Sequence, residues 1–283
     1  MLKSGNDAAV ALAEYAGGSI ENFALMMNKK AQELTLSGTH FVTPHGLDSD
    51  EHFTTALDLA YLADYALKNE TFAKIVKTKT CTILINNKPR TISNTNELLG
   101  NFEGIYGVKT GFTNGANRCL VTSCKRGNLD FICIVLGCDT KKDRTRDSIK
   151  LLNYSFKNFT VVDLKTIATN KFDEWSKLHK SSFFINKGKS KNLDLYLDEI
   201  DFTFKNIALK NSEKDSIDVE IEFNSHFEAP LFEKNKIGNL HLYVNGEEYY
   251  SIDILNKNKI ERKRTSDYIL YILKNYCNFF DAT

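Results

Sequence analysis

The most constraining stretch of this chain lies between residues 109 and 137. Lys109-Thr110-Gly111 is followed by two strongly apolar runs, Arg118 to Cys124 and Leu129 to Gly137, with Arg126-Gly127-Asn128 between them. A glycine-containing break between two such runs reads as a reversing β-hairpin. Four of the six cysteines (Cys119, Cys124, Cys133, Cys138) fall between residues 119 and 138, and none of the six, Cys81 and Cys277 included, has C-x-x-C spacing. That spacing argues against a zinc site or a redox pair and favours small buried hydrophobes. A disulfide stays open for an extracytoplasmic protein.

Around this hairpin the elements are readable. Residues 6 to 16 are alanine-rich helix formers with Asn6 or Asp7 as N-cap; Gly17-Gly18 ends that helix and Ser19 caps a second one reaching about Leu34. Phe41 to Leu47, with Pro44 and Gly46, is a loop. A helix follows from Thr54 to Lys68, its Ala56, Leu59, Ala60, Ala63 and Leu67 on one face. Residues 78 to 92 alternate and are β-branched, with Asn86-Asn87 as the turn of another hairpin. Helical periodicity returns from Asp143 to Phe159.

After about residue 160 the character changes. Short alternating segments (Ser181–Ile185, Leu193–Leu197, Ser216–Phe223, Leu240–Val244) predict a separate β-rich domain. From Ile260 to Phe280 the pattern is helical again. Tyr268, Ile269, Ile272, Leu273, Tyr276 and Phe280 form an apolar stripe behind Lys257, Lys259, Arg262, Lys263 and Arg264. The domains are thus expected at 1–160, 161–256 and 257–283.

At 283 residues the chain suffices for one large domain or two ordinary ones. Lys+Arg at 37 against Asp+Glu at 36 leaves no electrostatic footprint for nucleic acid, and that partner class is rejected. No metal site or cofactor is expected. No run of eighteen apolar residues is present, so no spanning helix is predicted. The first six residues carry no signal-peptide core, which taken literally points to the cytosol; the alternative is a start inside a longer secreted protein.

Lys109-Thr110-Gly111 suits recognition of an acyl substrate from an edge strand. The ammonium attracts a carboxylate, the Thr110 hydroxyl donates to it, and the missing side chain at Gly111 admits the substrate backbone. The Phe112 N–H is placed to serve an oxyanion site. Ser4 and Asn6, on a turn entering a helix, offer a hydroxyl for proton relay and an amide to orient a carbonyl. Taken alone, Ser4 reads as a helix cap and Lys109 as a surface lysine.

The order of several stretches changes that weighting. Ser4-Gly5-Asn6-Asp7-Ala8-Ala9, Phe41 to Asp48, Thr55 to Ala60, Asn94-Thr95-Asn96-Glu97-Leu98-Leu99, Gly107 to Thr113 and Val135-Leu136-Gly137 stand in the order and spacing of one family. From residue 1 to about 160 the chain resembles the low-molecular-mass penicillin-binding proteins, the serine-type D-alanyl-D-alanine carboxypeptidases, whose motifs are S-x-x-K, S-x-N and K-T-G. The β-rich segment and the tail resemble that family's C-terminal domain and membrane anchor.

The resemblance implies an α/β (α+β) penicillin-binding fold, incomplete at its N-terminus, then a small β-rich domain and an amphipathic helix. It implies removal of the terminal D-alanine from peptidoglycan stem pentapeptides through an acyl-enzyme, with β-lactams as ligands and an extracytoplasmic, membrane-associated location. It makes Ser4 and Asn6 catalytic and Lys109, Thr110, Gly111, Phe112 and Arg146 substrate-binding. Arg146 stands in a D-R-x-R stretch where Arg144 competes with it. A β-lactamase-type hydrolase is the alternative, favoured less by the Phe41–Leu47 loop and the extra domain. Two departures stand out. Ala116-Asn117-Arg118-Cys119 replaces a more usual A-G-Y-x, and no serine in the chain has a lysine three residues later. The expectation is therefore a chain that forms no acyl-enzyme by itself, with Met1 an internal methionine of a longer protein, or else a non-catalytic peptidoglycan-binding remnant.

Overall fold

The computed structural model describes residues 1–198, 206–213 and 216–280, with side chains as far as residue 273. The chain divides into two compact units, Met1–Phe159 and Thr160–Thr283.

The first unit begins with α1 (Asn6–Gly17) and α2 (Ile20–Glu33). The cap of α1 is Gly5, with no side-chain cap, rather than the expected Asn6 or Asp7; Asp7 instead accepts from the Ala8 N–H. Gly18, left-handed at φ 79°, ends the helix by donating to the Glu14 carbonyl. Ser19 caps α2 as expected, accepting from Asn22 at 3.1 Å. Next come α3 (Ala56–Leu67), capped by Thr55, and α4 (Glu70–Lys77), capped by Asn69. At barely two turns, α4 is too short for periodicity in the sequence to announce it.

Strands β1 (Thr80–Ile85) and β2 (Lys88–Ser93) form the first hairpin through Asn86-Asn87, both at positive φ. An antiparallel sheet of β3 (Ile105–Thr113), β4 (Asn117–Arg126) and β5 (Leu129–Cys138) follows, in that order, so β3 is an edge. Thr140 caps α5 (Lys141–Asn158), which presses Leu152, Ile149 and Phe156 onto the sheet. Leu98, Leu99, Ile105, Leu120, Cys124, Cys133 and Val135 complete this core. Only two of the four clustered cysteines are the buried hydrophobes expected. Cys119 and Cys138 are half-buried, and all four, like exposed Cys81, are free thiols. Cys277 lies outside the described side chains.

The second unit is β-rich, yet it opens with a helix that the sequence reading missed. Strand β6 (Phe159–Asp163) leads into α6 (Leu164–Leu178), where Asp163 accepts from the Thr166 N–H as the cap. Leu164, Ala168 and Phe172 fall four apart and bury one face of it. The main antiparallel sheet runs β10 (Ile217–Phe223), β12 (Lys236–Val244), β13 (Glu247–Asn256), β8 (Leu195–Leu197). β7 (Phe184–Asn186) pairs in parallel with β11 (His226–Glu228), and β6 pairs with β9 (Asn206–Lys210). Leu240, Leu242, Ile252 and Ile254 alternate inward from β12 and β13 and are fully buried.

The tail differs from its expected form. The final helix, α7 (Thr265–Phe280), starts five residues after Ile260. Ile260 is a core residue that exchanges backbone hydrogen bonds with Leu231, and the Lys263 N–H donates to the Lys187 carbonyl. The basic lead-in is therefore an extended strap on the β-rich unit. Along α7, Tyr268 to Leu273 are all exposed, so the apolar surface there is a band, not only a stripe. Tyr276 and Phe280 lie outside the described side chains. Among the described residues, no helix is long and apolar enough to cross a membrane.

Candidate active site

Strand β3 carries Lys109-Thr110-Gly111 on the open edge of the sheet, held in register by pairing Lys109 with Val121, Thr110 with Leu120 and Gly111 with Cys119. Its entry is fixed by buried polar groups. The Gly107 carbonyl accepts from Asn96 Nδ2 at 2.8 Å and from Thr122 Oγ1 at 2.7 Å. Asn94 in turn donates to the Val76 and Thr78 carbonyls. The short run Asn94-Thr95-Asn96 thus ties α4, the β1–β2 hairpin and the motif strand together.

Residues 1–6 fold against that edge. The Ser4 N–H donates to the Met1 carbonyl in a tight turn that holds Ser4 at φ 56°, a conformation that costs a non-glycine residue energy. Gly5, not Ser4, is the helix cap, so the Ser4 hydroxyl is free to face the strand. Lys109 Nζ donates to Ser4 Oγ at 2.7 Å and to its neighbour's carbonyl, Thr110 O, at 2.6 Å. Residues separated by 105 positions in sequence therefore share one hydrogen bond. Burial pushes the Lys109 ammonium below the ordinary lysine range. Asn6, exposed at the start of α1, makes no side-chain hydrogen bond among the described residues.

Thr110 Oγ1 donates to Thr95 Oγ1 at 2.6 Å, and the Thr95 N–H reaches the Leu2 carbonyl. An added Cβ on Gly111 would meet nothing nearer than Cys119 Cβ at 3.6 Å, an ordinary contact. No packing demand inside the protein explains glycine there, and the strand edge stays open to a ligand. Phe112, half exposed, carries the Arg118 guanidinium 3.5 Å from its ring centroid.

The loop 41–47 forms the opposite wall of a cleft of about 500 Å³, whose lining includes Ser4, Asn6, Lys109, Thr110, Gly111 and Phe112. His52 organises that wall: its Nδ1 accepts from the Val42 N–H at 3.1 Å and, more weakly, from Thr43 at 3.4 Å. An imidazole accepting there is neutral, and burial with His40 and His45 nearby keeps its pKa low. Asn28 fixes the start of the loop through two 2.8 Å bonds to the Phe41 backbone. Asp48 closes the cleft's rim by accepting from the Gly115 N–H at 3.1 Å. Bonds from Thr113, Gly115 and Asn114 hold the Asp48 carboxyl below the usual range.

The two arginines are placed elsewhere. Arg146 pairs with Asp143 at 2.7 Å and Asp147 at 3.1 Å and does not line the cleft. It borders a separate depression with Glu97, Lys142 and Thr145. Arg144, two positions away and so on the other side of α5, is buried with Nη2 3.5 Å from Glu97, and it does not line the cleft either. The expected convergence of Arg146 on Lys109 is not seen, because helical phase and two adjacent aspartates hold its side chain outward. A larger cavity, about 990 Å³, lies at the other end of the sheet beside Tyr106 and Asp130 and contains no motif residue. Among the described residues no three His, Cys, Asp or Glu side chains gather as metal ligands.

Sequence reasoning missed Thr95, Asn96 and His52 as parts of this site. Asn96 and Thr95 were visible only as matching letters, and nothing local in Glu51-His52-Phe53 signals that the ring reaches back ten residues.

Comparisons with known proteins bear on the family and the fold. Residues 1–140 match the family described as D-alanyl-D-alanine carboxypeptidase, and residues 180–262 match the penicillin-binding protein 5 C-terminal domain. The chain is 34% identical over 251 residues to D-alanyl-D-alanine carboxypeptidase DacF of Bacillus subtilis, covering 87% of this chain and 60% of that protein. Against D-alanyl-D-alanine carboxypeptidase DacC of Escherichia coli it is 40% identical over 172 residues, covering 60% and 42%. The fold is similar to penicillin binding protein 5 from Haemophilus influenzae, with TM-score 0.64, 27% identity, and coverage of 92% of this chain and 72% of that one. The chain thus spans roughly half of the length of the curated relatives it matches.

Proposed function

The chain belongs to the D-alanyl-D-alanine carboxypeptidase family, and on that premise we propose that its first unit forms the substrate-holding side of a serine acyl-transfer site acting on the D-Ala-D-Ala terminus of peptidoglycan stem peptides. The observation that carries this reading is the 2.7 Å bond from Lys109 Nζ to Ser4 Oγ at the floor of the cleft. A desolvated ammonium on a hydroxyl lowers the cost of moving a proton through Ser4 and leaves positive charge for a carboxylate. In this reading Lys109 and Thr110 take the terminal carboxylate, the bare edge at Gly111 admits the peptide backbone, and the Phe112 N–H serves the developing oxyanion. Asn6 orients the penultimate amide. β-Lactams, which carry a carboxylate beside a strained acyl group, are ligands of the same surface.

The nucleophile in this scheme is a serine that carries a lysine three residues later, and no serine of these 283 residues does so. Residues 1–160 are assigned to the catalytic domain and 161–256 to the β-rich domain; 257–283 first strap that domain through Ile260 and Lys263 and then carry the exposed Tyr268–Leu273 band, which supports contact with a membrane surface. An extracytoplasmic setting goes with that substrate.

The test is an NMR titration of the chain with an N-acylated peptide ending in D-Ala-D-Ala, alongside the same peptide ending in L-Ala-L-Ala. Shifts at Ser4, Asn6 and Lys109–Phe112 with the D,D peptide alone are expected; equal shifts with both peptides would defeat the proposal. Labelling with a fluorescent penicillin is expected to leave no covalent band, and a band would overturn the assignment of the nucleophile to a serine outside these residues.

A further inference from the structure

Residues 71–96 contain Lys74, Lys77, Lys79, Lys88 and Arg90 and no acidic residue at all. Their centre is the β1–β2 hairpin, which pairs with no other strand among the described residues. Every residue of β1 is exposed, and so is all of β2 except the half-buried Ile92. At about 3.3 Å per residue, strands of this length carry the turn roughly 20 Å from the hairpin's base. The apolar side chains gather at that far end: Leu84 is 72% exposed, Ile85 49% and Ile83 39%.

The register sets charge beside the two isoleucines. Ile85 pairs with Lys88 and Ile83 with Arg90, so both cations stand on the face that carries the two isoleucines, while Leu84 pairs with Pro89 on the other face. Neither Lys88 nor Arg90 forms an ion pair among the described residues. Aliphatic stems along isoleucine, with heads beyond them, is how lysine and arginine sit at a lipid interface. A soluble polyanion would need the cations but gains nothing from an exposed leucine at the tip. A neutral protein partner would use the apolar tip but not a segment stripped of acids. Both features together match an anionic bilayer surface.

We propose that the β1–β2 hairpin is a lipid-contacting element, its Ile83–Ile85 tip entering the headgroup region of an anionic membrane while Lys88 and Arg90 bind the headgroups. It is independent of the tail helix and of the acyl-transfer reading of the cleft.

The experiment uses the full chain carrying L84W. The parent's single Trp175, packed on Phe172, Phe183 and Phe223, supplies the baseline. Vesicles of phosphatidylcholine with phosphatidylglycerol are expected to shift L84W emission to the blue and, when brominated, to quench it; vesicles of phosphatidylcholine alone are expected to do neither. Adding K88E and R90E should weaken the apparent partition at least about 10-fold. Co-sedimentation of the chain with vesicles without any change in L84W emission would overturn the proposal, leaving the tail as the contact. So would inorganic polyphosphate competing for the hairpin and binding it equally well when Leu84 and Ile85 are both changed to asparagine.

Discussion

The β1–β2 and β4–β5 hairpins both reverse in two residues. One turns through Asn86-Asn87, at φ 49° and 60°, the other through Gly127-Asn128, with Gly127 at φ 56°. Both are rich in β-branched and apolar residues, and both are legible as hairpins from sequence. Yet β1 is exposed along its whole length, whereas β4 and β5 place Leu120, Cys124, Cys133 and Val135 in the core under α5. The difference lies in what flanks them. β4 is the central strand, with β3 on one side and β5 on the other, and α5 follows directly to cover a face. The first hairpin is followed by Asn94–Asn96, whose polar side chains are committed to the 76–78 segment and to strand β3 and offer no apolar cover. Turn chemistry decides that a hairpin forms; its neighbours decide whether it is buried.

The largest effect that could break this contrast is on stability. Leu120, 1% exposed in the middle of β4, is expected to lose about 2–5 kcal/mol on Leu120→Ala, because the cavity left behind cannot collapse between two strands and a helix. Leu84→Ala on β1, with nothing behind it to lose, is expected to stay within about 0.5 kcal/mol. Urea unfolding of both variants reads this directly. Similar losses in the two would mean that the first hairpin is packed after all.

The same contrast explains how much of the site could be read in advance. Lys109, Thr110, Gly111, Ser4 and Asn6 stood out through their place in a family's order of motifs and not through local chemistry, and the structure brings them to one cleft. What failed needed three-dimensional phase. Arg146 is two positions from Arg144 on α5, so one side chain turns in and the other out, and neither reaches the cleft. His52 acts across a loop whose closure is set by Asn28 and by the His40–Phe53 bridge, and no spacing within 41–53 announces that. The helix α6 was hidden by Val161-Val162, whose β-branching reads as strand, although Asp163 and Thr166 form an N-cap pair immediately after them.

A smaller effect sharpens the comparison through charge. The cations of β2 stand in solvent, whereas Lys109 on β3 is drawn in beside Ser4 and pays desolvation, which lowers its folded pKa. Between that lowered value and the ordinary lysine value of about 10.4, the unfolded chain holds more protons than the folded one. Stability from this group therefore rises with pH through that window, and the penalty is fully present below it. Wild-type stability relative to Lys109→Met is expected to climb across the alkaline range and level off near pH 10.4. A flat difference in denaturant titrations from pH 7 to 11 would mean that the Ser4 and Thr110 bonds compensate the burial in full.

The smallest effects lie in the two turns, and they are expected to differ in sign. Gly127 has open space around an added Cβ, so Gly127→Ala meets no clash and its cost is the left-handed backbone alone, about 1 kcal/mol. Asn87 already sits at φ 60°, where glycine is freer still, and Asn-Gly is the preferred pair for a turn with both central residues at positive φ. Asn87→Gly is therefore expected to gain a few tenths of a kcal/mol in hairpin formation, offset in part by the entropy that glycine adds to the unfolded chain. Because β1–β2 is tied to the rest only at its base, that gain should appear in amide exchange of residues 81–92 and hardly at all in global unfolding. The Gly127→Ala loss should appear in both, since β4–β5 cannot open without opening the core. Finding the Asn87→Gly change in global unfolding would show that the outer hairpin folds as one cooperative unit with the sheet.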